Sequence, residues 1–242
     1  MEKNKITEKM KDFVVIGLGR FGKSVATTLF AMGNEVLAID HRTTNVNALD
    51  GKVSTAVTAD AGSYEILHSL GVQNFDCAII CIGDNLESSL LSAQNCKELG
   101  VKFVIAKAQN EQHAKILESL GVDLVIFPEE FVGRKLASLL AKPGINELVD
   151  LTDDFKIFEM TIPEAWQNKR VDELNIRKKY KVSIVYVQRN NKIISPEPDT
   201  VLLEGDILII AGEKTKISAL ASLTIDINDA VASLFSVFES KE

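Results

Sequence analysis

No apolar run in this sequence approaches the roughly 20 residues a helix needs to cross a bilayer, and the opening stretch MEKNKITEKMKD is charged with no apolar signal core behind it. Any membrane role is expected to be peripheral. Basic side chains are also short: 27 Lys and Arg stand against 34 Asp and Glu, a formal charge of -7. A protein whose main partner is a polyphosphate backbone needs the opposite balance, so nucleic acid is disfavoured. Cysteine is scarce. Cys77, Cys81 and Cys96 are odd in number, lack CxxC spacing and lie in apolar or helical contexts, which reads as reduced core residues of a cytoplasmic protein and not as a metal or redox site. The three histidines, His41, His68 and His113, are scattered, a pattern of surface or cap residues more than of a catalytic set.

Apolar material is sufficient for a core. A hydrophobic fraction of 46% with 25% charged residues is ordinary for a globular chain, and 242 residues leave room for two domains. The most informative stretch is Phe13 to Asp40, FVVIGLGRFGKSVATTLFAMGNEVLAID. An apolar run feeds Gly17, Gly19 and Gly22, a helical pattern continues to Met32, Gly33 breaks it, and a second apolar run ends at Asp40. Gly17 permits a tight turn, Gly19 lets the backbone approach a pyrophosphate, and Gly22 lets the helix pack on the strand. The free N–H groups and positive dipole end of that helix face the phosphates. Asp40 is placed to accept hydrogen bonds from ribose hydroxyls. A bare GxGxxG is a weak signal; flanked by strand, helix and acid it indicates nucleotide binding.

The alternation continues. Strands are expected at Ser54–Ala59, Cys77–Ile82, Phe103–Ala106 and Leu124–Phe127, with helices at Tyr64–Leu70 (capped by Ser63), Leu86–Leu99 and Glu111–Leu120. Three of these helices end in the recurring LGV at Leu70, Leu99 and Leu120. Strands and helices in this order predict an α/β Rossmann-like doubly wound parallel sheet of six strands. Beyond Leu151 the grammar changes: strands at Phe155–Ile162, Val182–Gln188, Lys192–Ser195 and Ile207–Ala211, a charged helix at Val171–Tyr180 and a turn at Asn190–Asn191 predict a smaller α+β, mostly antiparallel unit. The expected organisation is a leader over 1–11, the Rossmann-like domain over 12–141, a linker over 142–151, the second domain over 152–213 and a helical tail over 214–242.

The ordered set of motifs carries a further message. GLGRFG at Gly17–Gly22, EVLAID ending at Asp40, KAQNEQH at Lys107–His113, LGVDLVIFPEE at Leu120–Glu130, LNIRKKY at Leu174–Tyr180 and LLEGDILIIAG at Leu202–Gly212 together resemble the RCK family (regulator of conductance of potassium), TrkA-N followed by TrkA-C. The resemblance extends from about Lys11 to Gly212 and implies a cytosolic gating-ring subunit, not an enzyme. Such subunits pair as homodimers, assemble into a homo-octameric ring and dock beneath a separate membrane potassium-translocating subunit, so the protein would lie peripherally on the inner face of the cell membrane. In that family ATP and ADP compete for one site, with NAD or NADH also implicated, and their exchange reshapes the ring.

Carried onto this chain, the resemblance places Gly17, Gly19, Arg20, Phe21 and Gly22 around the phosphates, with Arg20 reaching the terminal one, and Asp40 and His41 at the ribose. Asp60 and Ala61 fall near the base, and Gly83, Asp84 and Asn85 opposite the phosphates. Lys107 and Glu129 complete the set, Glu129 as a carboxylate that helps hold Mg or Ca at the dimer contact. In the second domain Asn175, Ile176, Arg177 and Pro196 match positions that bind cyclic di-AMP. Read without the resemblance, Lys107 is a solvated strand end, Glu129 is favoured at a helix start by the macrodipole, and LNIRKKY is a charged face. The rival class is an NAD(H)-dependent oxidoreductase, which requires a proton donor and substrate groups that the small C-terminal unit does not offer. An NADH-sensing transcriptional regulator needs a DNA-reading helix and a basic face, for which the leader is too short.

Overall fold

The computed structural model describes residues 10–141, 145–152, 154–213, 215, 216 and 220. The expected leader up to residue 9 and most of the expected tail lie outside them. The chain divides into two compact units, 1–129 and 130–242.

In the first unit, strands β1 (Asp12–Ile16), β2 (Glu35–Asp40), β3 (Thr55–Thr58), β4 (Cys77–Ile80), β5 (Phe103–Lys107) and β6 (Leu124–Ile126) form one sheet in the order β3-β2-β1-β4-β5-β6. Every pairing is parallel. This is the expected doubly wound sheet. Its central strands are unbroken apolar runs because both faces are covered. Val14 and Ile16 enter one core cluster with Ile39, Ile80 and Val104, while the intervening Val15 enters another with Ala38 and Ile79. Each fully buried Val, Leu or Ile contributes about 1.5–3 kcal/mol. Cys77, Cys81 and Cys96 are buried among them, and burial pushes each thiol up to about 12.

The connecting helices are α1 (Arg20–Ala31), α2 (Thr43–Asn47), α3 (Tyr64–Ser69), α4 (Leu86–Glu98) and α5 (Glu111–Ser119). Ser63, Asn85 and Asn110 cap α3, α4 and α5 through their side-chain oxygens, which accept the N–H groups of Ile66, Ser88 and His113. The LGV repeats close the same helices through Gly71, Gly100 and Gly121, all at positive φ. Of the surface or cap roles expected for the histidines, His113 takes the second: it is 2% exposed, its Nδ1 accepts the Gln109 N–H at 3.3 Å ahead of α5, and burial holds its pKa below the ordinary value.

Helix α6 (Pro128–Ala141) begins where the units divide. In the second unit β7 (Ile145–Asp150), β8 (Phe155–Thr161), β9 (Val182–Arg189), β10 (Lys192–Ile194) and β11 (Ile207–Glu213) form an antiparallel sheet in the order β10-β9-β11-β8-β7. The stretch expected as a linker over 142–151 thus carries a strand, β7, paired with β8. The expected helix over Val171–Tyr180 is two pieces, α7 (Val171–Leu174) and α8 (Ile176–Tyr180), because Asn175 between them is left-handed at φ +50. Asn190 and Asn191, at φ +50 and +60, form the β9–β10 hairpin turn. Phe158, Met160, Trp166, Leu208 and Ile210 fill the core. Among the described residues no helix is long and apolar enough to cross a membrane.

Candidate functional site

Strand order reverses at β1, so β2 and β4 lie on either side of it and their connections leave toward opposite faces. The crevice at the carboxyl ends of these strands is where such sheets hold ligands. A cavity of about 430 Å³ lies there. Its walls come from the ends of β1 and β2, from Ala59–Gly62 after β3, and from Ile82, Asp84, Asn85, Ser88 and Ser92 after β4.

The glycine turn is built as its spacing requires. Gly17 sits at φ +91, and a Cβ there would meet Ile82 at 2.9 Å; a Cβ on Gly22 would lie 1.9 Å from the Gly17 carbonyl oxygen, so α1 packs against the turn at backbone distance. Gly19 stands at the N-cap of α1 without a side chain to cap it, and a Cβ there would meet nothing within 4 Å. The unpaired N–H groups of the first turn of α1 face that open space. Arg20 is exposed, with no ion-pair partner among the described residues. The side chain of Phe21 is half-buried and packs on the core cluster of Val15 and Leu18.

Asp40 is buried, at 6% exposure. Its Oδ2 accepts the Leu18 N–H at 2.6 Å and the Asn45 side-chain amide at 3.1 Å, and its Oδ1 accepts the Arg42 N–H at 2.8 Å. Asn45 in turn accepts from Lys23 Nζ at 3.1 Å. The acid at the end of β2 therefore braces the glycine turn. Asp60 Oδ1 accepts the Gly62 N–H at 2.9 Å, and buried Asn95 donates its amide to the Gly62 carbonyl at 3.0 Å, which shapes the loop carrying Ala61.

Of the sequence-expected residues, Gly17, Asp40, His41, Asp60, Ala61, Asp84 and Asn85 line the cavity. Gly19, Arg20, Phe21, Gly22, Gly83, Lys107 and Glu129 do not; the side chains of Lys107 and Glu129 pair with one another, and the hydrogen bond from Lys107 holds the Glu129 carboxyl below the usual carboxylate range. Gly83 is exposed beside them, its carbonyl accepting from the Gln109 side chain. Among the described residues no group of three or more His, Cys, Asp or Glu is placed to hold a metal. Sequence reasoning missed Arg42, Asn45 and Asn95. The basic residue directly after Asp40-His41 was a visible signal for the first; the other two show only through their folded partners.

In the second unit a cavity of about 940 Å³ collects Asn175, Ile176, Arg177 and Pro196, all four of the expected residues, with Lys178 and Lys181 added. Arg177, Lys178 and Lys181 share the lining with Asp172 and Glu197, an excess of one positive charge.

Parallel sheet, glycine turn and crevice define the first unit as a Rossmann-like domain, here followed by a small antiparallel domain. Residues 13–128 match the TrkA-N domain and residues 157–224 the TrkA-C domain. The chain is 39% identical to Ktr system potassium uptake protein A of Bacillus subtilis over 86% of its own length and 95% of that protein. It is 32% identical to the Ktr system potassium uptake protein A of Vibrio alginolyticus, at the same two coverages. Among solved structures, the GsuK RCK domain shares the fold at a TM-score of 0.62 and 18% identity, over 91% of this chain and 49% of that one. The chain belongs to the RCK family, TrkA-N followed by TrkA-C.

Proposed function

We propose that this chain is the cytosolic regulatory subunit of a potassium uptake system, acting by ligand binding and not by catalysis. Homodimers assembled into a homo-octameric ring dock on a separate, KtrB-like membrane potassium-translocating subunit. ATP and ADP exchange in the cavity of the first unit and bias the ring between conformations, as only ligands with different affinity for two states can do. NAD or NADH is a further ligand of the same cavity.

The observation that carries this reading is the cavity at the ends of β1, β2 and β4, beside a glycine turn whose Gly19 leaves open space at a helix N-terminus. Phosphates fit along Gly17–Gly22, with Arg20 at the terminal phosphate, ribose at Asp40 and His41, and base at Asp60 and Ala61. Gly83, Asp84 and Asn85 face the phosphates. A guanidinium at the terminal phosphate separates triphosphate from diphosphate by one charge-assisted contact. Glu129 alone is a thin metal site and Lys107 already neutralises it; Mg or Ca at the dimer contact needs added phosphate oxygens or the symmetry-related carboxylate. Exposed Phe131, Val132 and Leu140 on α6 supply apolar surface for assembly. In the second unit, cyclic di-AMP fits the cavity with Arg177 as its phosphate partner, and its binding disfavours the active ring.

The test is potassium flux through the membrane partner reconstituted with this chain while ATP is exchanged for ADP. Flux that changes with the nucleotide is expected. Nucleotide-independent flux, or steady turnover of NADH with small hydroxy or keto acids, overturns the reading. Calorimetry with cyclic di-AMP tests the second cavity, and absence of binding removes that ligand.

A further inference from the structure

Two opposite charges, one on each wall, meet across the cavity of the first unit. Arg42 follows β2, Asp84 follows β4, both line the cavity, and Arg42 Nη2 donates to Asp84 Oδ2 at 2.5 Å. Their side chains are 53% and 62% exposed, so the pair is solvated and readily exchanged. The Arg42 backbone and guanidinium are nevertheless anchored: its backbone N–H donates to Asp40 Oδ1 and its Nε–H to His41 Nε2 at 3.1 Å. That position lies at the ribose of a nucleotide whose phosphates rest on the glycine turn. The Asp40 carboxylate beside it faces inward, offset by donors from Leu18, Arg42 and Asn45.

We infer that Arg42 and Asp84 together decide whether this cavity accepts a nucleotide phosphorylated on its ribose. The inference rests on the nucleotide reading above and adds a specificity rule to it. In this architecture an arginine close to the ribose acid is the group that takes a 2′-phosphate, through paired charge-assisted hydrogen bonds. Here Asp84 already occupies that guanidinium. An entering 2′-phosphate must displace the Asp84 carboxylate and then remain close to it, two anions within a few ångströms. A nucleotide with free 2′- and 3′-hydroxyls meets no such repulsion. Asp84 is thus an internal anion standing where the ribose phosphate would bind, and the site selects adenine nucleotides with an unmodified ribose.

The experiment is calorimetry on the full chain with ADP and with ADP carrying a 2′-phosphate. Wild-type protein is expected to favour ADP by about tenfold or more. Asp84→Asn should shift the ratio of the two affinities toward the 2′-phosphorylated ligand by about tenfold, and adding Arg42→Gln should abolish that gain. Both side chains are exposed, so the variants are expected to fold. Equal tightening of both ligands by Asp84→Asn, or a gain that survives Arg42→Gln, overturns the inference while leaving the nucleotide site standing. Absence of ADP binding to wild-type protein overturns the nucleotide reading and the inference with it.

Discussion

Asp40, the last residue of β2, accepts the backbone N–H of Leu18 at 2.6 Å and so ties a strand end to the glycine turn. The bond makes the acid structural as well as a candidate ribose ligand. Asp40→Ala leaves the Leu18 N–H buried and unpaired, a loss of about 1–3 kcal/mol. Asp40→Asn keeps one oxygen acceptor and should cost less. Urea denaturation of the full chain distinguishes the two, and an unchanged midpoint for Asp40→Ala would remove the bracing role.

Gly19 and Gly22 are expected to fail differently. A Cβ at 22 strikes the Gly17 carbonyl oxygen, whereas one at 19 meets only open space. Gly22→Ala should therefore destabilise the fold by about 1–3 kcal/mol or more. Gly19→Ala should leave the melting temperature unchanged and weaken ADP binding, because the methyl group occupies the approach of the phosphates. Equal loss of stability in both variants would show that the space at Gly19 is not a ligand's.

Arg20→Ala tests the terminal phosphate. One lost charge-assisted hydrogen bond corresponds to roughly 1.5–3 kcal/mol. ATP affinity should fall by about tenfold or more, with ADP affinity nearly constant. Equal loss for both nucleotides in a calorimetric titration would refute the assignment.

Asp206 links the second unit's stability to pH. Burial alone would raise its pKa, but the bidentate hydrogen bonds from Arg189 and the Leu203 N–H outweigh burial and hold it below its ordinary value of 3.8. A depressed folded pKa stabilises fully above the unfolded value and loses that contribution as pH falls through the folded one. Stability should therefore drop with acid below about pH 3.8. Asp206→Asn should cost about 2 kcal/mol at neutral pH, less than for a fully buried pair since Arg189 is partly solvated. It should also flatten the acid dependence. Denaturation at pH 7 and pH 3 checks both parts.

The parallel sheet was legible because each strand is a local apolar run bounded by its own turn residue: Cys77–Ile80 and the Gly71, Gly100 and Gly121 stops need no distant information. β7 was not legible, since Ile145–Asp150 carries Asn146 and Glu147 and is a strand only by pairing with β8. The split of α7 from α8 was likewise hidden, because an Asn within a helical run is left-handed only where packing demands it. All four residues expected at the second cavity line it, whereas Lys107 and Glu129 pair beside the first cavity without lining it.

By itself the sequence determined the alternation of elements, the glycine turn, the acid at the end of β2 and the family, because these rest on residue type and spacing along one stretch of chain. Only the tertiary structure decided that Asp40 faces Leu18, that Arg42 meets Asp84 across the cavity, and that Asn95 shapes the Ala61 loop. Those contacts join residues 22 to 42 positions apart in sequence. Hydrogen bonds and ion pairs over such separations exist only once packing has brought the strand ends together.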